Sequence, residues 1–233
     1  MTTKEAGFLR ARRPEHKRQR YRAILDAARA LAERDGVGAV SLAGIAATVG
    51  MHKSALLRYF GTREEIFLRL AEDEWQLWAA GTVADLDAGA AGRPATEHVV
   101  RALSRSLADR PLFCQLLIHS TLTLEHNVSL DAVRSSKAVM MRAVNAVADA
   151  VHRALPELGR PACFELLATT GIVAAGLWPS AHPSPVVVAL HAEVPAESPT
   201  AIGLDGYTPP DFPTAVARFL RVYLAGLVRL GSA

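Results

Sequence analysis

The stretch SLAGIAATVGMHKSALLRYF, residues 41–60, decides the fold. It predicts two short helices joined by a tight turn, because Ser41 is a favourable N-cap residue, Gly50 ends the first helix, and a second follows from about His52. A shared apolar core could hold the two helices at a fixed angle, and its members would be Ile45, Ala46, Val49, Met51, Leu56 and Tyr59. The pattern therefore predicts a helix-turn-helix that contacts duplex DNA, and a helical hairpin without that role is the alternative.

Apolar residues at helical spacing continue on both sides of this segment. A first helix is predicted over about 16–35, and a longer one begins near Thr62 and Glu65, which have the spacing of a capping box. The longer helix should end near residue 85, and further helices are predicted at about 95–108, 111–124, 129–155, 161–178 and 212–230. The proline-rich stretch 179–211 is predicted as a loop with one helical turn near 186–191. No segment requires a strand.

These elements predict an all-α fold of about nine helices with two domains. An N-terminal three-helix helix-turn-helix DNA-binding domain would precede a larger C-terminal helical domain for ligand binding and dimerisation. We place a disordered basic arm at residues 1–16, the helix-turn-helix domain at 17–61, and the regulatory and dimerisation domain at 62–233.

Basic residues are concentrated in the first quarter of the chain. Through Arg63 there are 13 Lys and Arg against 5 Asp and Glu, a net charge of +8, whereas the rest of the chain has 13 against 18, a net charge of −5. Seven cations lie within thirteen residues of the predicted arm and first helix: Arg10, Arg12, Arg13, Lys17, Arg18, Arg20 and Arg22. Such a cluster could follow a phosphate backbone or enter a minor groove, and a solvated tail is the alternative.

Composition excludes several other classes of protein. No apolar run approaches the roughly 20 residues that span a bilayer, and the N-terminus lacks the apolar block of a secretory signal, so we expect a cytoplasmic protein without a membrane partner. Two cysteines, Cys114 and Cys163, cannot form a disulfide framework or a four-thiolate zinc site. We expect both to be buried thiols, and we expect no cofactor.

Three stretches resemble the tetracycline-repressor-type (TetR) family of regulators: AILDAARAL at 23–31, SLAGIAATVG at 41–50 and ALLRYFGTREEIF at 55–67. The close match covers about residues 17–70. The resemblance implies an all-helical homodimeric repressor that binds a double-stranded DNA operator. The sequence departs from the family pattern at Gly44, where a polar or acidic residue is common, at His52, where a capping Ser or Thr is common, and at Leu57, where a phosphate-contacting Tyr is common.

The resemblance also implies which residues contact DNA. Phosphate contacts would come from Ser41, Tyr59 and Arg63. The N-terminal end of the second helix of the helix-turn-helix, which carries Lys53, Ser54 and Ala55, would face the major groove. Lys53 is the best candidate for base reading, because a lysine donates to guanine O6 and N7; phosphate contact alone is its alternative. Other possible phosphate contacts are Lys17, His52 and Arg58.

The predicted helix 161–178 is apolar on two sides, which is typical of a helix between two packed layers. In the family, the last two helices of each protomer form a four-helix dimer interface. The residues that would form it here are Phe164, Leu167, Gly171, Ala174, Ala175, Phe219, Leu220, Tyr223 and Leu227. A monomeric core is the alternative, but two half-sites in an operator require two DNA-binding units.

A regulator of this kind needs a ligand cavity, and an apolar or aromatic small molecule is the expected but unidentified effector. Candidate lining residues are Trp75, Trp78, Phe113, Gln115, Leu117, His119, His126, Met140, Met141, Asn145 and Trp178. His119 and His126 also raise a metal-responsive alternative, although no third ligand follows. No nucleophile elbow, phosphate loop or HExxH motif is present, so we expect no catalytic residues.

Overall fold

The computed structural model describes residues 4–193 and 209–231, and within those residues it contains ten α-helices and no strand. The helices are α1 (Lys4–Asp35), α2 (Leu42–Thr48), α3 (Lys53–Leu56), α4 (Arg63–Asp87), α5 (Ala95–Ala108), α6 (Pro111–His119), α7 (Leu130–Ala154), α8 (Arg160–Ala181), α9 (Pro185–Glu193) and α10 (Phe212–Gly231). A 3-10 turn, Val37–Ala39, precedes α2, and a π-helical turn, Ser120–Leu124, follows α6. The all-α prediction is confirmed.

The helices group into two compact units. The first unit comprises Met1–Gln76 and His119–Met140, and the second comprises Leu77–Ile118 and Met141–Ala233. The long helices α4 and α7 each contribute residues to both units. The division by function, with a boundary at residue 61, stays a prediction.

Helix α1 begins upstream of its predicted start. It runs from Lys4, whereas apolar periodicity is visible only from Tyr21 onward, so the basic stretch before that residue shows no helical pattern in the sequence. Whether residues 4–16 act as an arm on DNA stays a prediction, and residues 1–3 lie outside the described residues.

The proline-rich stretch 179–211 contains more helix than predicted. Helix α8 continues past Pro179 to Ala181, and His182 N–H still donates to the Trp178 carbonyl at 2.9 Å. Helix α9 has nine residues where a single turn was predicted. Residues 194–208 of this stretch lie outside the described residues.

The core of the first unit forms where α1, α2, α3 and α4 meet. Its most deeply buried side chains include Ile24, Ile45, Leu56, Ile66 and Phe67. Arg29 on α1 forms an ion pair with the buried carboxylate of Glu74 on α4. The start of α4 is capped as the sequence predicts, because Glu65 N–H donates to Thr62 Oγ1 at 3.1 Å and Gly61 N–H donates to the Glu65 carboxylate at 2.9 Å.

In the second unit α10 packs against α5 and α8. Trp178 on α8 contacts the Phe212 ring edge-on at 4.9 Å between centroids, and Thr169 donates to the Tyr223 hydroxyl oxygen at 3.1 Å. Among the described helices, α8 alone is long and apolar enough to cross a membrane, and 33% of its apolar window is buried. A helix in the core of a protein can be equally long and apolar, so this single helix is weak support for a membrane segment.

Candidate nucleic-acid interface

The turn between α2 and α3 is tight and is fixed by its own hydrogen bonds. Ser41 caps α2, since its Oγ accepts a hydrogen bond from Gly44 N–H at 3.0 Å. Gly50 has φ +63°, a backbone conformation that a side chain would strain, and Met51 N–H donates to the Ala46 carbonyl at 2.9 Å. His52 occupies the N-cap position of α3 in extended conformation, and its side chain makes no capping hydrogen bond.

The inward side chains hold α3 at a fixed angle to α2. Ile45, Ala46 and Leu56 are buried between the helices, and Val49, Met51 and Tyr59 are half-buried. Phe60 is buried and stacks on Tyr21 of α1, with ring centroids 4.6 Å apart. These contacts confirm the helix-turn-helix that the sequence predicts.

The outward side of α3 carries the residues expected to face DNA. His52, Lys53, Ser54 and Arg58 are exposed, and Ala55 is half-buried. The helical turn continues beyond α3, because Leu57 N–H donates to the Lys53 carbonyl at 3.1 Å. Leu57 therefore lies on the same side as Lys53, with 41% of its surface exposed. It was not among the predicted contact residues, although its helical spacing from Lys53 could have indicated it.

Arg63, the first residue of α4, makes its contacts within the protein. Its guanidinium donates to the carbonyl oxygens of Val37 and Val40, contacts Glu64 at 3.3 Å, and lies over the Phe67 ring at 4.6 Å. Val40 directly precedes the N-cap residue of α2. Arg63 thus ties the start of α4 to the loop before the helix-turn-helix, while its predicted phosphate contact stays a prediction.

The remaining predicted DNA contacts lie at accessible positions. Ser41 is exposed, and its hydroxyl can still donate to a phosphate because its oxygen accepts the capping bond. Lys17 is exposed on α1, and Tyr59 is half-buried at the end of the α3 turn. Their contacts with DNA stay predictions.

His119, at the end of α6, lies against the same loop that Arg63 holds. A Cβ added at Gly38 would be 3.5 Å from Cε1 of the His119 ring. Burial lowers the pKa of His119, and the nearby positive charge of Arg63 lowers it further. His126, its predicted companion in a metal site, is exposed. Within the described parts of the chain, no three His, Cys, Asp or Glu side chains are grouped as metal ligands.

The predicted ligand-contacting residues divide between the two units. Trp75, His119, His126 and Met140 belong to the first unit, and Trp78, Phe113, Gln115, Leu117, Met141, Asn145 and Trp178 belong to the second. Trp78 is buried, donates to Ser106 Oγ at 3.1 Å, and stacks on Phe113 with centroids 5.6 Å apart. The side chain of Met141, by contrast with that of Trp78, is exposed, at 46% of its surface. A ligand role for any of them stays a prediction.

The residues predicted to form the dimer interface differ in how deeply they are buried within a single protomer. Four are buried within the protomer, namely Leu167, Ala174, Leu220 and Leu227. Five are half-buried, namely Phe164, Gly171, Ala175, Phe219 and Tyr223. Among the large apolar side chains of α8 and α10 whose exposure the structure describes, the most exposed are Ile172, at 73%, and Val222, at 72%. A groove between these helices is lined by Val173, Leu177, Ala215, Phe219 and Val222, among others.

Two family models match the chain. The model of bacterial regulatory proteins of the tetR family matches residues 24–70, and the model of the tetracyclin repressor-like C-terminal domain matches residues 72–229. The chain therefore belongs to the tetR family and is a DNA-binding transcriptional regulator. No curated protein matches the sequence significantly.

Two solved structures show the same fold. The fatty acid degradation regulator FadR from Bacillus halodurans is 14% identical, with 88% of this chain and 94% of that chain covered and a TM-score of 0.53. FadR from Thermus thermophilus, described as a TetR family transcriptional repressor in complex with lauroyl-CoA, is 18% identical, with 89% and 93% covered and a TM-score of 0.51.

Proposed function

We propose that this regulator is a homodimeric repressor. Its two α2–α3 units would bind the halves of a palindromic operator, and an apolar small molecule would release it. The observation that carries the proposal is the exposed side of α3, where Lys53 and Ser54 stand outward while Leu56 anchors the helix in the core. Base edges in a major groove are read from such a face.

The exposed apolar surface of the second unit supports a dimer. Ile172 and Val222 lie on helices that also form the apolar groove. In α9, the side chains of Val186, Val188 and Leu190 are exposed. A nine-residue helix with three consecutive valines is marginal in water by itself, so packing of its exposed side chains against another surface would stabilise α9. A second copy of the chain would supply that surface and also the second DNA-binding unit.

Light scattering tests the dimer. Ile172→Asp and Val222→Asp each place a carboxylate on the proposed interface and should shift the mass at micromolar concentration from dimer to monomer. Leu130→Asp is the matched control, because Leu130 is equally exposed, at 72%, and lies in the first unit. A monomeric unaltered protein, or dimers that survive both substitutions, would contradict this interface.

An acyl thioester is the first effector to test. The fold is shared with a regulator described in complex with lauroyl-CoA, and most of the predicted ligand residues are apolar or aromatic. Lauroyl-CoA should therefore raise the melting temperature and lower affinity for the operator, and coenzyme A alone should do neither. No effect of lauroyl-CoA on either quantity would exclude this ligand while leaving DNA binding untouched.

Selection of genomic fragments by the purified protein tests the function as a whole. We expect enrichment of fragments that share an inverted repeat upstream of genes, and a loss of that enrichment for Lys53→Ala. The proposal includes no catalytic step and locates the protein in the cytoplasm, where operator DNA lies. Recovery of fragments without any shared sequence would contradict it.

A further inference from the structure

Leu57 is an exposed apolar side chain on the side of α3 that the proposed function places against DNA. Within residues 41–60, all of which the structure describes, it is the large hydrophobic residue that remains exposed. A single exposed leucine is ordinary on a protein surface. What distinguishes Leu57 is its position, one helical turn after Lys53 and directly before Arg58, with both cations also exposed.

The neighbours of Leu57 indicate which partner could cover it. An apolar protein surface is a poor partner, because burying Leu57 there would also remove Lys53 and Arg58 from water. A DNA duplex attracts both cations through its phosphates. In its major groove, the C5-methyl group of thymine is the apolar feature on the base edges, and apolar side chains contact it.

We infer that Leu57, which lacks the hydroxyl group that a tyrosine would donate to a phosphate, is a specificity-determining residue that packs against the methyl group of a thymine in each half of the operator. Side chains one helical turn apart are separated by about 6 Å, and base pairs are spaced about 3.4 Å along the duplex, so the two contacted bases lie about two steps apart. The thymine should therefore fall within two base pairs of the base that Lys53 reads. This inference rests on the proposed function, because it requires α3 to lie in the major groove.

Replacement of thymine by uracil tests the contact, since it removes only the methyl group. The full-length protein first selects its site from random duplexes, and uracil then replaces each thymine of the selected duplex in turn. Affinity should fall about fourfold at one thymine per half-site, as expected for the loss of one buried methyl contact. That position should lie within two base pairs of the position at which Lys53→Ala relaxes sequence preference.

Variants of Leu57 show whether the loss of affinity with uracil comes from a lost contact with the leucine or from a change in the shape of the DNA. Leu57→Ala removes the contact from both half-sites of the dimer, so it should bind the thymine duplex about sixteenfold more weakly than the unaltered protein, about fourfold per half-site, and show no further loss with uracil. Leu57→Met keeps an apolar side chain and should retain the sensitivity to uracil. Leu130→Ala, which truncates an exposed leucine elsewhere in the same unit, should behave as the unaltered protein. Circular dichroism verifies that each variant is folded.

Two results would overturn the inference alone. One is an unaltered protein that is indifferent to uracil at every thymine near the Lys53 position, and the other is a Leu57→Ala variant that loses as much affinity with uracil as the unaltered protein. Failure of the unaltered protein to prefer any duplex would instead overturn the proposed function, and this inference with it.

Discussion

The guanidinium group of Arg63 donates a hydrogen bond to the carbonyl oxygen of Val40, the residue directly before the N-cap of α2. A second bond from the same group reaches Val37, so the first residue of α4 holds the loop that leads into the helix-turn-helix. A displacement of the start of α4 would be transmitted to α2 through these two bonds. The ring of His119 lies beside the same loop.

Replacing Arg63 with lysine should destabilise the protein nearly as much as replacing it with alanine. The planar guanidinium spans two carbonyl groups, whereas a lysine ammonium is a point donor. Each variant should lose about 1–3 kcal/mol of unfolding free energy, the usual cost of leaving a buried hydrogen-bonding group without its partner. Denaturant unfolding measures it. A lysine variant of unaltered stability with normal DNA affinity would indicate that Arg63 serves only as a charge for phosphate.

The Tyr21–Phe60 stack should stabilise the folded protein. Phe60→Ala removes a fully buried ring and should cost about 3–5 kcal/mol, while Tyr21→Phe keeps both rings and should change stability little. Thermal unfolding followed by circular dichroism compares the two variants. Equal melting temperatures for Phe60→Ala and the unaltered protein would contradict this role.

His119 should make the protein less stable in mild acid. Its pKa is lowered in the folded chain, by burial first and by Arg63 second, from an ordinary value of 6.5. The unfolded chain therefore binds more protons at His119 as the pH falls below 6.5, and the free energy of unfolding decreases there. Above that pH the imidazole is neutral in both the folded and the unfolded chain, so His119 then causes no loss of unfolding free energy.

The His119→Gln variant isolates this effect, because every other titrating group is shared with the unaltered protein. The difference in unfolding free energy between the two proteins should change between pH 8 and pH 5, with the unaltered protein losing more. Denaturant titrations at several pH values measure the difference. If the unfolding free energies of the two proteins changed in parallel with pH, His119 would not contribute to the loss of stability in acid.

Both cysteines should be unreactive in the folded protein. Cys114 and Cys163 are buried, and burial raises the pKa of the Cys114 thiol to about 12 and also raises that of Cys163. The thiolate is the reactive form, so a thiol reagent at pH 8 should label neither residue until denaturant is added. Rapid labelling of one thiol under native conditions would show that its surroundings open readily.

The helix-turn-helix could be predicted because its signals are local. The cap at Ser41, the turn at Gly50 and the apolar spacing around Leu56 all lie within twenty residues, and each has the predicted role in the structure. The bonds of Arg63 could not be predicted in the same way. Their acceptors are backbone carbonyls 23 and 26 positions away, and a carbonyl has no residue-type signal in the sequence.

The outer face of α8 shows a second limit of sequence patterns. The helix is apolar on two sides, so periodicity does not decide which side one chain covers. In the folded chain Leu167 and Ala174 are buried, whereas Ile172 is exposed. The sequence therefore indicates the interface helices, whereas the residues available to a partner follow only from the tertiary contacts.

Base reading by Lys53 is the central claim, and the ratio of affinities for a selected and a scrambled duplex measures it directly. Lys53→Ala should lower this ratio about tenfold or more, the usual discrimination of a good base contact, whereas Lys17→Ala should weaken both duplexes alike and leave the ratio unchanged. Fluorescence anisotropy at fixed salt gives both affinities. A ratio that Lys53→Ala leaves unchanged would contradict the claim and reduce Lys53 to a phosphate contact.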